Sequence, residues 1–117
     1  MEKPYCIHQV YFNEEFSTLY IELHTEASKT HQWEITLLGV SSECDCIQIR
    51  NIGGTSERAR KNTFKFVEKA GYWEKYKSGD KELTFAVRRL GDALCFPGWK
   101  ETIQLHCGKY LNNQCHP

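Results

Sequence analysis

The sequence contains no apolar run near the roughly 20 residues that a membrane-spanning helix needs, which argues against a membrane protein. Its first residues, 1–6, lack the charged and then apolar segments of a secretory signal. This absence predicts a cytoplasmic protein whose cysteines are thiols. The 117 residues, of which 40% are hydrophobic, suffice for a single domain spanning 1–117, with an irregular tail at 108–117.

Motifs of catalysis and cofactor binding are also missing. Neither G-x-S-x-G nor H-E-x-x-H occurs, and the Gly53–Ser56 turn lacks the ending of a phosphate-binding P-loop. Cys95 or Cys107 could act as a nucleophile with His106 as its base, but no local signature supports that pairing. The sequence therefore predicts a protein that is not an enzyme and that uses no cofactor.

The six cysteines include no C-x2-C pair, the spacing that structural zinc sites favour, so no metal site is predicted. The weak candidates for metal ligands are Cys44, Cys46, Cys107 and Cys115. A disulfide is the alternative, because Cys107 and Cys115 flank a polar loop that a bridge could close. That alternative belongs to a secreted, disulfide-bonded binding protein.

The first half of the chain has the alternation of half-buried strands. In 17–24, Leu19, Ile21 and Leu23 share one face and Tyr20, Glu22 and His24 the other. This segment and the preceding run 5–12 form a predicted hairpin, since 13–15 is a polar break. Further strands are predicted at 33–37 and 44–50, and short connections favour an antiparallel meander.

The middle of the chain predicts one amphipathic helix of about five turns, which begins at an N-cap at Thr55 or Ser56. The helix is expected to kink or stop at Gly71, and 78–80 closes the segment. Its apolar stripe is expected to contain Ala59, Thr63, Phe66, Val67, Ala70 and Trp73. Its basic face is expected to contain Arg58, Lys61, Lys65 and Lys69.

The last third predicts two or three strands. Leu83, Phe85 and Val87 alternate, 93–96 is a short return strand after a turn at 91–92, and the last strand contains Ile103 and Leu105. The predicted fold class is therefore α+β: an antiparallel meander of six or seven strands with one long amphipathic helix packed on the sheet.

Charge is distributed unevenly along this neutral chain. Residues 1–55 carry three basic and eight acidic side chains, whereas 56–117 carry twelve basic and seven acidic ones. The acidic half and the abundant tyrosines predict a surface for a protein partner, which could itself be basic. The predicted contact residues are Glu14, Glu15, Tyr20, Glu22, Glu34, Glu43 and Asp45.

Two functions remain beside that of the secreted, disulfide-bonded binding protein. The first is a small non-catalytic domain that binds and modulates or inhibits a protein partner, as immunity proteins and phage inhibitors do. The second is a nucleic-acid-binding domain that uses the basic helix face. The second is less favoured, because the sequence pI of about 6.9 is low for such a domain and no recognition motif is present.

Overall fold

The computed structural model describes residues 3–13, 18–25, 33–39, 47–50, 61–67, 71–90 and 98–115, with backbone alone at 47–50 and at Lys61. These residues form strands β1 (Tyr5–Asn13), β2 (Thr18–Thr25), β3 (Trp33–Leu38), β4 (Ile47–Arg50), β5 (Lys61–Val67), β6 (Asp80–Arg89), β7 (Trp99–His106) and β8 (Lys109–Tyr110). A 3₁₀ helix at Tyr72–Tyr76 separates β5 from β6. None of the helical structure described is long and apolar enough to cross a membrane.

The strands form one antiparallel sheet in the order β3-β6-β7-β8-β1-β2-β5-β4. In a flat sheet, β3 and β1 would lie about 19 Å apart, since neighbouring strands are about 4.8 Å apart. The rings of Trp33 on β3 and Tyr5 on β1 are nevertheless only 5.8 Å apart. The sheet therefore curls into a nearly closed barrel around one core.

The core fills the interior of the barrel with apolar side chains from alternate positions of the strands. On β2, Leu19, Ile21 and Leu23 are buried, and the sequence alternation had predicted this face correctly. The strands around them add Ile7, Val10, Ile35, Phe64, Phe66, Leu83, Phe85, Val87, Ile103 and Leu105.

The prediction of a long helix packed on a sheet, and with it the α+β class, is wrong. Residues 61–67 of the predicted helix form β5, which pairs with β2 on one side and β4 on the other. Here Phe64 and Phe66 are buried while Thr63 and Lys65 are half-buried, which is the period of a strand. Two core phenylalanines two residues apart cannot both face inward from a helix, where successive positions turn by about 100°.

The chain between β5 and β6 makes only a short helix. Gly71 adopts the left-handed conformation (φ 73°), and the 3₁₀ helix follows it directly. Trp73 on this helix is completely buried, and its indole N–H donates to the carbonyl oxygen of Phe66 at 3.1 Å. Trp73 was correctly expected in the core, but it reaches the core from a turn that packs beside Phe12.

The predicted antiparallel meander is wrong in its strand order. The hairpin of β1 and β2 is confirmed. However, β3 pairs with β6, and β2 pairs with β5, so the strands do not pair in sequence order. The strand expected at 93–96 and the helix N-cap at Thr55 or Ser56 lie outside the described residues.

A tight turn at Cys107 and Gly108 joins β7 to β8, and β8 lies within the segment 108–117, which was expected to be irregular. Cys107 (φ 48°) and Gly108 (φ 79°) both have positive φ, as the two central residues of a type I′ hairpin turn do. Asparagine adopts positive φ more readily than cysteine. We expect Cys107→Asn to be more stable than the wild type in urea unfolding. A β-branched Cys107→Val should be less stable than Cys107→Asn by about 1–3 kcal/mol, the cost of holding such a residue in the left-handed region. Equal stability of the two variants would contradict this turn.

Candidate functional site

The candidate site lies on the solvent side of β1, β2 and β5, which we call the outer face. Because β2 alternates, burying Leu19, Ile21 and Leu23 sends the other set of side chains outward. That set, Tyr20, Glu22 and His24, is half-buried and follows the predicted alternation. In the antiparallel register Tyr20 lies opposite Tyr11 on β1 and opposite Lys65 on β5.

A β-bulge in β1 adds a further side chain to the outer face. The register shifts between Ile7, opposite Leu23, and Gln9, opposite Glu22, so His8 is an extra residue. Ile7 and Val10 are both buried, which leaves His8 and Gln9 together on the solvent side. Bulges of this kind redirect side chains and are frequent beside functional sites.

The bulge brings two histidines and a carboxylate together. The rings of His8 and His24 stack with centroids 4.3 Å apart. Glu22 Oε1 lies 3.7 Å from Nε2 of each ring, and Glu22 is the most buried of the three side chains. On the far side of the His8 ring, the Asn113 Nδ2 lies 3.2 Å from Nδ1. The result is a compact polar cluster, which we call the histidine cluster.

Two tyrosines continue the outer face away from the histidine cluster. The rings of Tyr11 and Tyr20 are parallel, with centroids 5.0 Å apart, and the Lys65 ammonium lies 5.6 Å from the Tyr20 ring. Burial raises the pKa of Tyr11 above its usual 10, and the charge of Glu22 raises it further. The Tyr11 hydroxyl therefore remains a neutral hydrogen-bonding group at physiological pH.

A groove of about 400 Å³ runs beside Tyr11, where β1 meets β8. Its lining residues are Gln9, Val10, Tyr11, Phe12, Lys109, Tyr110 and Leu111. Among the described residues, β1 pairs with the two-residue β8 at Tyr11 and Lys109. Leu111 is 68% exposed at the edge of this groove and extends its apolar lining to the surface.

Gln114 and Cys115 are bonded to β1. Cys115 forms a disulfide with Cys6, and the backbone N–H of Gln114 donates to the carbonyl oxygen of Ile7 at 2.9 Å. The Gln114 side chain accepts from the Ile7 N–H. These bonds hold 111–115 along β1, and so they set the position of Leu111 and Asn113 against the outer face.

Only part of the predicted contact surface comes together. Tyr20 and Glu22 lie on the outer face, but Glu34 is on β3, opposite Arg88 of β6. The other predicted contact residues, Glu14, Glu15, Glu43 and Asp45, lie outside the described residues. The sequence predicted neither His8 nor Leu111 as a site residue, and it included Tyr11 only among the tyrosines suited to an interface. Glu22-x-His24 already placed two of the three histidine-cluster side chains on one face.

The predicted nucleic-acid face was a helix face, and that assignment is wrong for its described members. Lys61 and Lys65 lie on strand β5, with Lys61 opposite His24 in the register. Arg58 and Lys69 are outside the described residues. No basic helical stripe is therefore formed by the part of the chain that can be described.

The cysteine predictions also change. Cys115 pairs with Cys6, so the proposed bridge between Cys107 and Cys115 is wrong, as is the expectation of a thiol at Cys115. Cys107 is a free, exposed thiol in the type I′ turn. Cys44 and Cys46 lie outside the described residues.

A second polar group lies inside the barrel, away from the outer face. Glu101 is only 5% exposed and accepts a hydrogen bond from the Tyr5 hydroxyl at 2.6 Å and one from Lys3. Tyr5 packs against Trp33 and Trp99. Burial, together with the neighbouring carboxylate, raises the pKa of Tyr5 far above 10. The hydrogen bonds from Tyr5 and Lys3 both reach Oε1 of this enclosed carboxylate.

The raised Tyr5 pKa predicts a loss of stability in alkali. The protonated phenol is favoured in the folded state, so its contribution is complete below the unfolded pKa of 10 and falls as the pH rises above 10. Urea unfolding at pH 8, 10 and 11 should show a shallower decline for Tyr5→Phe than for the wild type. Identical pH profiles for the two proteins would contradict the assignment to Tyr5.

Comparisons of the chain with protein-family models, curated proteins and solved structures found no match. The function proposed below therefore comes from the geometry of the outer face and the groove.

Proposed function

We propose that this protein is a small non-catalytic binding domain that modulates a protein partner, and that the partner docks in the groove between β1 and β8. The observation that carries the proposal is the groove of about 400 Å³ beside the stacked Tyr11 and Tyr20, with Leu111 exposed at its edge. Stacked tyrosines offer rigid apolar area with polar hydroxyls, the character that protein interfaces favour.

Shape and apolar contact dominate this docking surface. Leu111 and the tyrosine rings supply the apolar area, while Lys65 and Lys109 provide positive charge at its edges. The described acidic residues of the N-terminal half, Glu22 and Glu34, lie on different strands, and Glu22 faces two histidines. A basic partner is therefore not required, and we propose one with an apolar segment that fits the groove.

The disulfide favours an oxidising compartment as the place where this binding domain works. Disulfides persist in oxidising compartments and are uncommon in the cytosol, where thiols are kept reduced. The Cys6–Cys115 bond secures the segment that carries Leu111. We therefore favour a disulfide-bonded binding protein that works in an oxidising compartment over a cytoplasmic one.

Paired bait variants test the proposal. The wild type, Leu111→Asp and the matched control Leu38→Asp are immobilised and exposed to extract from the native host. Leu38 is the other large apolar residue that is exposed among the described positions, and it lies on β3. We expect one protein to be retained stoichiometrically by the wild type and by Leu38→Asp, and at least about ten-fold less by Leu111→Asp, as for an interface hot spot.

Thermal unfolding of the three baits is the folding control. Both substituted side chains are on the surface, so neither substitution is expected to disrupt the core. Retention of a partner equally by all three baits would contradict the groove as its docking site. Retention of nucleic acid alone, released by moderate salt, would contradict a protein-binding function and support the nucleic-acid alternative.

A further inference from the structure

We propose that the histidine cluster is a zinc site, in which His8, Glu22 and His24 each provide one ligand. Their ligand atoms all lie within 4.8 Å of one another, and Glu22 Oε1 is 3.7 Å from Nε2 of both histidines. Two ligands held at about 2.0–2.1 Å from a tetrahedral ion are roughly 3.3 Å apart. The two imidazole rings are stacked, so the ion would bind after the rings rotate to make their nitrogen lone pairs converge and the three atoms reach coordination distance.

The chemistry of the three side chains fits zinc. Imidazole nitrogen and carboxylate oxygen are its common ligands, and sites with two histidines and one glutamate leave a fourth position open. The side chains are partly buried, with exposed fractions of 25%, 14% and 33% for His8, Glu22 and His24. An ion there would have access to solvent on one side and a fixed set of ligands on the other.

The backbone holds these ligands on rigid elements. Glu22 and His24 are two residues apart on β2 and so share a face. His8 joins them because the bulge in β1 adds a residue opposite Glu22. Sites built on paired strands keep their ligand spacing better than sites on loops.

The neighbouring disulfide determines which ligands are available. Cys6 and Cys115 also lie within ligand distance of His24, but their sulfurs are bonded to each other. A sulfur in a disulfide is not a thiolate, the form that binds zinc. In the disulfide-bonded protein the nitrogen and oxygen ligands of the histidine cluster are therefore the ones that bind the ion.

Asn113 offers a way to adjust the affinity of the histidine cluster for zinc. Its Oδ1 accepts from the Cys115 N–H at 2.8 Å, which directs Nδ2 towards Nδ1 of His8. When Nε2 binds an ion, Nδ1 carries the proton and needs an acceptor. Asn113→Asp would keep an oxygen for Cys115 and offer the second one to His8. A carboxylate in this position commonly strengthens zinc binding by histidine.

Calorimetric titration of the disulfide-bonded protein with zinc tests the proposal. We expect one equivalent to bind, with affinity at least about ten-fold lower in His8→Ala and Glu22→Gln. His106→Ala is the matched control, because His106 also contacts a carboxylate, Asp80, but lies on β7 outside the cluster. This control should bind zinc as the wild type does, and Asn113→Asp should bind it several-fold more tightly.

Three outcomes would overturn the proposal. The first is an absence of stoichiometric binding in the disulfide-bonded wild type. The second is undiminished binding by a His8→Ala variant whose thermal unfolding matches the wild type. The third is binding that appears only after reduction and is lost in Cys6→Ser, because it would assign the ion to the sulfurs. None of these results depends on whether Leu111 contacts a protein partner, so the two proposals can fail separately.

Discussion

Replacing Trp73 with alanine is expected to lower the free energy of unfolding by about 3–5 kcal/mol, the usual loss when a large buried aromatic side chain is removed. Trp73 is completely buried and contacts the rings of Phe12, Tyr72 and Tyr76. Its indole also closes the end of β5 through the hydrogen bond to Phe66. Equilibrium unfolding in urea measures the loss directly.

Two variants show which part of Trp73 matters. Trp73→Phe keeps most of the packing but removes the N–H donor to Phe66, and should cost less, about 1–3 kcal/mol. Tyr72→Ala removes a partly buried neighbour and should also cost less than Trp73→Ala. A loss below about 1 kcal/mol for Trp73→Ala would show that the residue is not in the core.

Removing the disulfide is expected to cost about 2–4 kcal/mol. The bond joins Cys6 to Cys115 across a sequence separation of 109 residues, so it restricts the unfolded chain over almost its whole length. Cys6→Ser and Cys115→Ser should lose the same amount of stability, and the double variant little more. Urea unfolding with and without a reductant measures the effect, and the reductant should leave the double variant unchanged.

Cys107→Ser is the control for the disulfide, since Cys107 is exposed and free. It should change stability by less than about 0.5 kcal/mol. Peptide mapping without reduction identifies the bonded pair independently. A bond from Cys115 to Cys107, or two free thiols at Cys6 and Cys115, would contradict the structure.

Much of the barrel could be predicted from local patterns. The alternation in 17–24 correctly separated the buried leucines and isoleucine from Tyr20, Glu22 and His24. The alternating segments at 33–37 and 83–87 fall within β3 and β6. A side-chain period of two reports a half-buried strand directly, because each strand has one face in the core.

Side-chain periodicity failed to predict the strand at 61–67, because both the helical period and the strand period fit the sequence there. Phe66, Val67 and Trp73 recur at helical spacing, while Phe64 and Phe66 recur at strand spacing. The sequence Lys61–Val67 is rich in aromatic and β-branched residues, which favour strands. Pairing with β2 and β4 decides between the two periods, and that pairing is tertiary.

Neither the strand order nor the histidine cluster could be read from local patterns. The neighbours β3–β6 and β2–β5 are distant in sequence, and alternation does not identify the partner of a strand. The position of His8 depends on the register shift between Ile7 and Gln9. A one-residue shift of this kind changes which side chains share a face, and the sequence gives no sign of it.

The barrel and its outer face depend most on residues 61–67 forming a strand beside β2. Backbone NMR of the disulfide-bonded protein tests it directly. We expect strand-type chemical shifts across 61–67 and cross-strand contacts that match Tyr20 to Lys65 and Glu22 to Thr63. Helical shifts with sequential amide contacts through 57–76, and no contact to β2, would contradict the barrel and the outer face together.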